Sequence, residues 1–160
     1  MIILEINGEP KAQPRARAYA MKFGNKYSAR MYDSDSADEW KAAVDSALMI
    51  SIADAISELG NDKVVASAST AFKVTMAFDF NRPKSHYKKN GGLNSNAPKN
   101  KTSKPDCDNL GKLILDRITR CNRIWHDDSQ VISLLIGKRF VTDKSSVLVV
   151  IEEATDVSEP

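Results

Sequence analysis

Cysteine is scarce in this chain: Cys107 and Cys121 are the only two among 160 residues. They are too few to frame a disulfide scaffold, and their spacing fits neither a zinc knuckle nor a redox pair. Long apolar runs are missing as well. None approaches the roughly 18 residues of a membrane-spanning helix, so no membrane partner is expected. The N-terminus, Met1-Ile2-Ile3-Leu4-Glu5, lacks a basic leader and meets an acid at once, which argues against a secretory signal. A reducing cytoplasm is the expected compartment. Acids are absent from two stretches. Residues 10–32 carry Lys11, Arg15, Arg17, Lys22, Lys26 and Arg30 without one, and residues 80–105 carry Arg82, Lys84, Lys88, Lys89, Lys99, Lys101 and Lys104. Eight acids fall instead between Asp33 and Asp62, and four between Glu152 and Glu159. The net charge of +2 therefore hides a segregation that suits a polyanionic partner.

What is present builds an ordinary single domain, with 42% hydrophobic and 28% charged residues. Ile2, Leu4 and Ile6 alternate and predict a first strand. Pro10 to about Tyr32 shows no helical period and is expected to be a loop with local extended structure. Ser36-Ala37-Asp38-Glu39 fits a capping box. Trp40, Val44, Ala47, Leu48, Ile52, Ala55, Ile56 and Leu59 then follow at helical spacing, with Gly60 as the stop. Phe72, Val74, Met76, Phe78 and Phe80 define one face of a strand, and strict period two favours core packing over base stacking. Arg82 to Lys104 is polar and long for a loop, and loops of that length are usually functional or disordered. Leu110, Leu113, Ile114 and Ile118 predict a helix over 109–120, and 130–140 with 145–152 predict a hairpin. The expected fold is α+β: one domain over 1–152, with a mixed sheet and two main helices in β-α-β-α-β-β order. An acidic, disordered tail is expected over 153–160.

The chemically informative segment is Lys104-Pro-Asp-Cys-Asp-Asn-Leu-Gly-Lys112. With an extended approach to the helix, Asp106 and Asp108 project to one side, where two carboxylates repel unless a cation lies between them. The helix dipole favours negative charge at that end. Asp108, Lys112 and Asp116 form one helical stripe, roughly opposite Leu110, Leu113 and Ile114. Gly111 would allow a backbone or a phosphate to come close. A second acidic pair, Asp127-Asp128, follows the polar connection 122–126 and opens the next strand. Taken singly, Asp108 reads as an N-cap and Asp127-Asp128 as a turn. Taken together, beside an acid-free basic loop, they read as an all-oxygen site for magnesium or manganese. Phosphodiester hydrolysis is the chemistry such a site serves, with Lys112 placed to stabilise transition-state charge. A zinc reading would need Cys107, Cys121, His86 and His126, whose spacings match no familiar zinc pattern.

The segment Lys104 to Lys112, then Asp116, then Asp127-Asp128-Ser-Gln-Val131, resembles the RusA-type Holliday junction resolvases of phage and prophage origin. Arg82-Pro-Lys-Ser-His-Tyr-Lys and Asn96-Ala-Pro-Lys resemble the branch of that family with a long loop before the motif, and Gln13-Pro-Arg-Ala-Arg17 its N-terminal basic loop. The resemblance runs from about residue 5 to residue 152. It implies a homodimer in a bacterial host cell that binds four-way DNA junctions and makes paired, symmetric nicks with Mg2+, with Mn2+ able to substitute. It also implies Asp106, Asp108 and Asp128 as metal-binding acids, Asp127 beside them, and Lys112 as the catalytic lysine. Two positions depart from the pattern: Cys107 stands where a larger aliphatic residue is usual, and Thr119 to Trp125 replaces a small-residue and glycine turn. DNA would be held by Arg15, Arg17, Arg82, Lys84, His86, Tyr87, Lys88, Lys89, Lys101 and Lys104, with affinity that falls steeply with salt. Two rival readings stay open at this point. One is a catalytically inactive module that binds branched DNA; the other is a nuclease for flap DNA or RNA.

Overall fold

The computed structural model describes residues 1–14, 17–24, 26–32, 37–59 and 66–154. Along the chain run β1 (Ile2–Asn7), β2 (Arg17–Phe23), β3 (Lys26–Tyr32), α1 (Asp38–Leu59), β4 (Phe72–Asn81), α2 (Cys107–Cys121), β5 (Val131–Val141) and β6 (Ser146–Glu153). The mixed α+β domain expected from the sequence is what forms. Ser36 and Gly60, read as the start and stop of the first helix, lie outside the described residues, as do Arg15 and residues 155–160 of the tail.

Four strands make one mixed sheet in the order β1-β6-β4-β5. Alternation decides which side of it is dry. Phe72, Val74, Met76, Phe78 and Phe80 of β4 are all buried, as the period of two predicts, with Leu4 and Ile6 of β1 and Val147, Val149 and Ile151 of β6. Trp40, Val44, Leu48 and Ile52 of α1 and Leu110, Leu113, Ile114 and Ile118 of α2 complete the same core. Both helices therefore cover one face of the sheet. Arg117 of α2 clamps Asp45 of α1 with two guanidinium hydrogen bonds. Gly111 is buried in this layer, and a Cβ there would lie 2.4 Å from Ile136 Cδ1. The close approach that this glycine permits is thus to β5, not to a phosphate.

One expectation is overturned and another is only partly met. Residues 131–141 and 146–153 do not pair as a hairpin. β4 lies between them, parallel to β5 (Met76 opposite Ile136) and antiparallel to β6 (Met76 opposite Val149). The connection crosses the end of β4, where the Asn81 amide donates to Ser145 Oγ at 2.8 Å and its side chain to the Asp143 carbonyl at 2.9 Å. β4 has the richest apolar face and so takes a central place with two partners. A short connection does not oblige its two strands to be neighbours. The segment 10–32, expected as a loop with local extended structure, contains a full second sheet: β2 and β3 pair antiparallel from Arg17–Tyr32 to Phe23–Lys26. Tyr27, Ala29 and Met31 alternate with Lys26, Ser28 and Arg30 along β3, a short period-two signal set among proline and glycine punctuation.

Candidate active site

Helix α2 organises the site. Asp106 is its N-cap in extended geometry (φ −79°, ψ 149°), and its side chain makes no cap hydrogen bond. The carboxylate is left over from helix-making. Asp108 stands in the first turn, exposed. The approach to this end is held by Lys138 of β5, whose ammonium donates to the carbonyls of Ser103 (2.9 Å) and Pro105 (2.6 Å). Nothing in the β5 pattern marks that lysine; its only signal is a charge sharing a face with Ile136. On the other side the Gln13 amide donates to the Asn109 carbonyl at 3.0 Å, which docks the N-terminal segment on the helix start. Between them opens a cavity of about 540 Å³, lined by Gln13, Phe80, Lys101, Lys104, Asp106 and Asn109 among others.

The other end of α2 is finished differently. Asn122 takes the left-handed conformation (φ 49°, ψ 38°) and does the work of the glycine usual in such a turn. The connection 122–126, read from sequence as polar, buries Ile124 and Trp125. Trp125 packs against Phe72 at 5.5 Å and donates to Thr119 Oγ1 at 2.8 Å. A 3-10 turn, Asp128–Gln130, follows. Asp127 caps it, accepting from the Ser129 amide at 2.9 Å, while the Gln130 side chain accepts in return from the Asp127 amide. The Ser129 donors hold the Asp127 carboxyl below the usual carboxylate range. Asp127 is therefore occupied as a cap, while Asp128 is exposed beside it.

The two acidic groups lie at opposite ends of one helix. Fifteen residues of α2 separate Asp106 from Asn122, which is about 22 Å of rise. The sheet says the same: Val131, just after the Asp128 turn, sits opposite Phe72 at the start of β4, whereas Lys138, which holds Pro105, sits opposite Phe78 near its end. Among the described residues, no group of three or more His, Cys, Asp or Glu side chains could hold a metal ion. Asp106 with Asp108 forms one half of the expected set, and Asp128 forms the other. Cys107 and Cys121, the first and last residues of α2, are both free and too far apart to bridge. Burial pushes the Cys121 thiol up, as for a packing residue.

The lysines divide by task. Lys112 Nζ lies 3.3 Å from Asp116 Oδ1 in an exposed pair, an interaction weak enough to exchange for a phosphate. Lys101 Nζ lies over the rings of Phe80 (4.9 Å) and Phe140 (5.3 Å). Burial first, and the neighbouring Lys138 second, lower its pKa. The loop 82–104 is folded rather than loose. Arg82, expected on DNA, is buried and donates to the Pro98 carbonyl at 2.7 Å, with His86 Nδ1 at 3.3 Å. The His86 ring meets Phe140 edge-on at 4.8 Å. Backbone bonds from Lys88 to Gly92 and from Asn94 to His86, with a bridge between Tyr87 and Leu93, close the loop on itself. Lys84, Lys88, Lys89 and Lys104 stay exposed on its surface. Arg17 opens β2.

A two-layer α+β domain with exposed carboxylates at both ends of one helix and a lysine-studded loop beside them is suited to an enzyme acting on a polyanion. The family described as Endodeoxyribonuclease RusA matches residues 7–152, and the chain belongs to that family. It is accordingly an endodeoxyribonuclease. Among individually curated proteins none matches. No helix among the described residues is long and apolar enough to cross a membrane.

Proposed function

We propose that this endodeoxyribonuclease resolves four-way DNA junctions by paired nicks, as a Mg2+-dependent homodimer whose metal sites are each shared between two copies. The observation that carries the reading is the separation of Asp106 and Asp108 from Asp128 by the whole length of α2. All-oxygen donors suit a hard cation, and Asp106 and Asp128 are not spent on caps. A two-fold axis that lays two α2 helices side by side and antiparallel would bring Asp106 and Asp108 of one copy to Asp128 of the other, twice over. β5 supplies a surface for this. It is an edge strand under α2, and it exposes Ile132, Leu134 and Leu135 at 64%, 45% and 66%. Pairing of β5 with itself across the axis would set the helices antiparallel and yield two equal sites for a nearly two-fold substrate.

When bound, the metal would lower the pKa of an attacking water and neutralise charge on the phosphate. Asp106, Asp108 and Asp128 would hold it. Lys112 would release Asp116 and meet the developing negative charge, while Lys84, Lys88, Lys89, Lys101 and Lys104 grip flanking phosphates. Arg82 and His86 would act indirectly, by holding the loop in shape.

The test is cleavage of a labelled, immobile four-way junction beside linear duplex of the same sequence, with magnesium and with EDTA. Paired nicks on the junction alone, abolished by EDTA, are expected. Binding without any cutting would reduce the protein to a junction-binding module. Faster cutting of flaps or RNA hairpins would reassign the substrate.

A further inference from the structure

The tip of the β2–β3 hairpin carries a pattern that neither core packing nor solubility explains. Lys22 lies opposite Tyr27, and Phe23 lies opposite Lys26. Opposed residues share a face of the ladder and successive residues alternate, so each face of the tip bears one aromatic ring and one ammonium. Neither ring is covered: Phe23 is 62% exposed and Tyr27 73%. Lys22 Nζ sits 5.7 Å from the Tyr27 ring centre. The three phenylalanines of β4, by contrast, share one face and are all buried. A hairpin built to pack keeps its aromatics on a single side, whereas this one presents them on both.

We propose that the hairpin tip is a two-sided wedge that stacks on the base pairs left open at the branch point of DNA, a role that rests on the endonuclease reading above. The partner must offer flat π-faces to both sides of the tip and negative charge around them. Bases supply the first and phosphates the second. An intact duplex hides its base faces in the stack; a branch point, where duplex ends meet, exposes them. No acid occurs between Pro10 and Tyr32 to repel the backbone. Seven paired residues per strand make a ladder about 20 Å long, which carries the tip well away from the hairpin's base. The wedge selects shape instead of sequence, because every base has a face to stack on.

The experiment places 2-aminopurine at the exchange point of an immobile four-way junction and titrates the full chain in EDTA, where binding proceeds without cutting. Wild type should quench the fluorescence as the rings stack on the exposed base. The double variant Phe23→Ala/Tyr27→Ala should lose that quenching and bind the junction about tenfold more weakly or worse, with linear-duplex affinity within twofold. Phe23→Tyr/Tyr27→Phe should restore both. The rings are exposed, so circular dichroism and Tm should not move. Equal quenching and an equal junction-to-duplex ratio in the double variant would overturn the wedge while leaving the nuclease reading intact. A variant that instead shifts the sedimentation coefficient would also overturn it, since the tip would then serve a second copy of the chain. A wild type that neither binds nor cuts junctions would overturn both readings.

Discussion

The two ends of α2 carry the same kind of residue and treat it in opposite ways. At the N-terminal end Asp106 is the N-cap, yet its side chain leaves the helix amides alone, and the local geometry is enforced from outside by Lys138 and by the Gln13–Asn109 bond. At the C-terminal end Asp127 is tied into a turn, which the Gln130 side chain also anchors to the Ser67 and Thr70 carbonyls. Asn122 turns the chain, Trp125 plugs the core, and Asp127 and Gln130 cap one another's backbone, so that Asp128 is presented by a rigid turn. An acid that caps a turn is satisfied and structural. An acid that could cap and does not is available for something else. The contrast assigns Asp127 to the architecture of its turn and, under the proposed function, leaves Asp106 free for a metal, although the two lie in superficially similar Asp-x-Asp and Asp-Asp motifs.

The strongest way to break this comparison is to damage both ends at once, in different copies. Asp106→Asn and Asp128→Asn should each reduce junction cutting by at least about a thousandfold, as expected when a metal-dependent step is lost. Mixed as heterodimers, the two inactive variants should regain single-strand nicking, because one of the two shared sites is then fully wild type. Mixtures that stay inactive in strand-resolved gels would mean that each site lies within one chain.

Stability should separate the ends next. Trp125→Ala removes a fully buried indole at the C-terminal end of α2 and should cost about 3–5 kcal/mol, read by urea unfolding. Lys138→Met leaves two carbonyls without their donor at the other end. It should cost only about 1–3 kcal/mol but lower cleavage more than the stability loss explains. Equal effects of the two variants on stability and on activity would erase the distinction.

The smallest expected effect is on pH. Bonds from Ser129 hold Asp127 below its ordinary carboxylate range. The stabilisation they bring is therefore present above the unfolded-state pKa of about 3.9 and is lost as pH falls through the lower folded value. Asp127→Asn should flatten the acid side of the stability profile slightly, while cutting at neutral pH persists. A large loss of neutral-pH activity would move Asp127 from the cap into the metal site.

Much of this was legible in the residues themselves. Phe72 to Phe80 announced a strand, Leu110 to Ile118 announced α2, and the run from Lys104 to Lys112 with Asp127-Asp128 marked the candidate chemistry. All of these signals are local, carried by period two, period 3.6 or a tight motif. Less visible were Arg82 and Lys138. A positive charge in a basic loop looks like a phosphate ligand, and one in an apolar strand looks incidental, until the carbonyls of Pro98, Ser103 and Pro105 are placed around them. The β2–β3 ladder left only a brief trace, the alternation of Tyr27, Ala29 and Met31 with polar neighbours, too short to reveal its partner.

The sequence by itself determined β1, α1, β4, α2, β5 and β6, most of their buried faces and which acids are candidates, since each depends on neighbours within a turn or two of chain. Tertiary structure decided that β4 separates β5 from β6, that Gly111 makes room for Ile136, and that Asp106 and Asp128 stand a helix apart. Those outcomes depend on which surfaces meet, and packing joins residues that the chain keeps far apart. The length of α2 is written in its residues, but only the folded molecule shows that its rigid rise stands between the acids, with no fold of the connection bringing them back together.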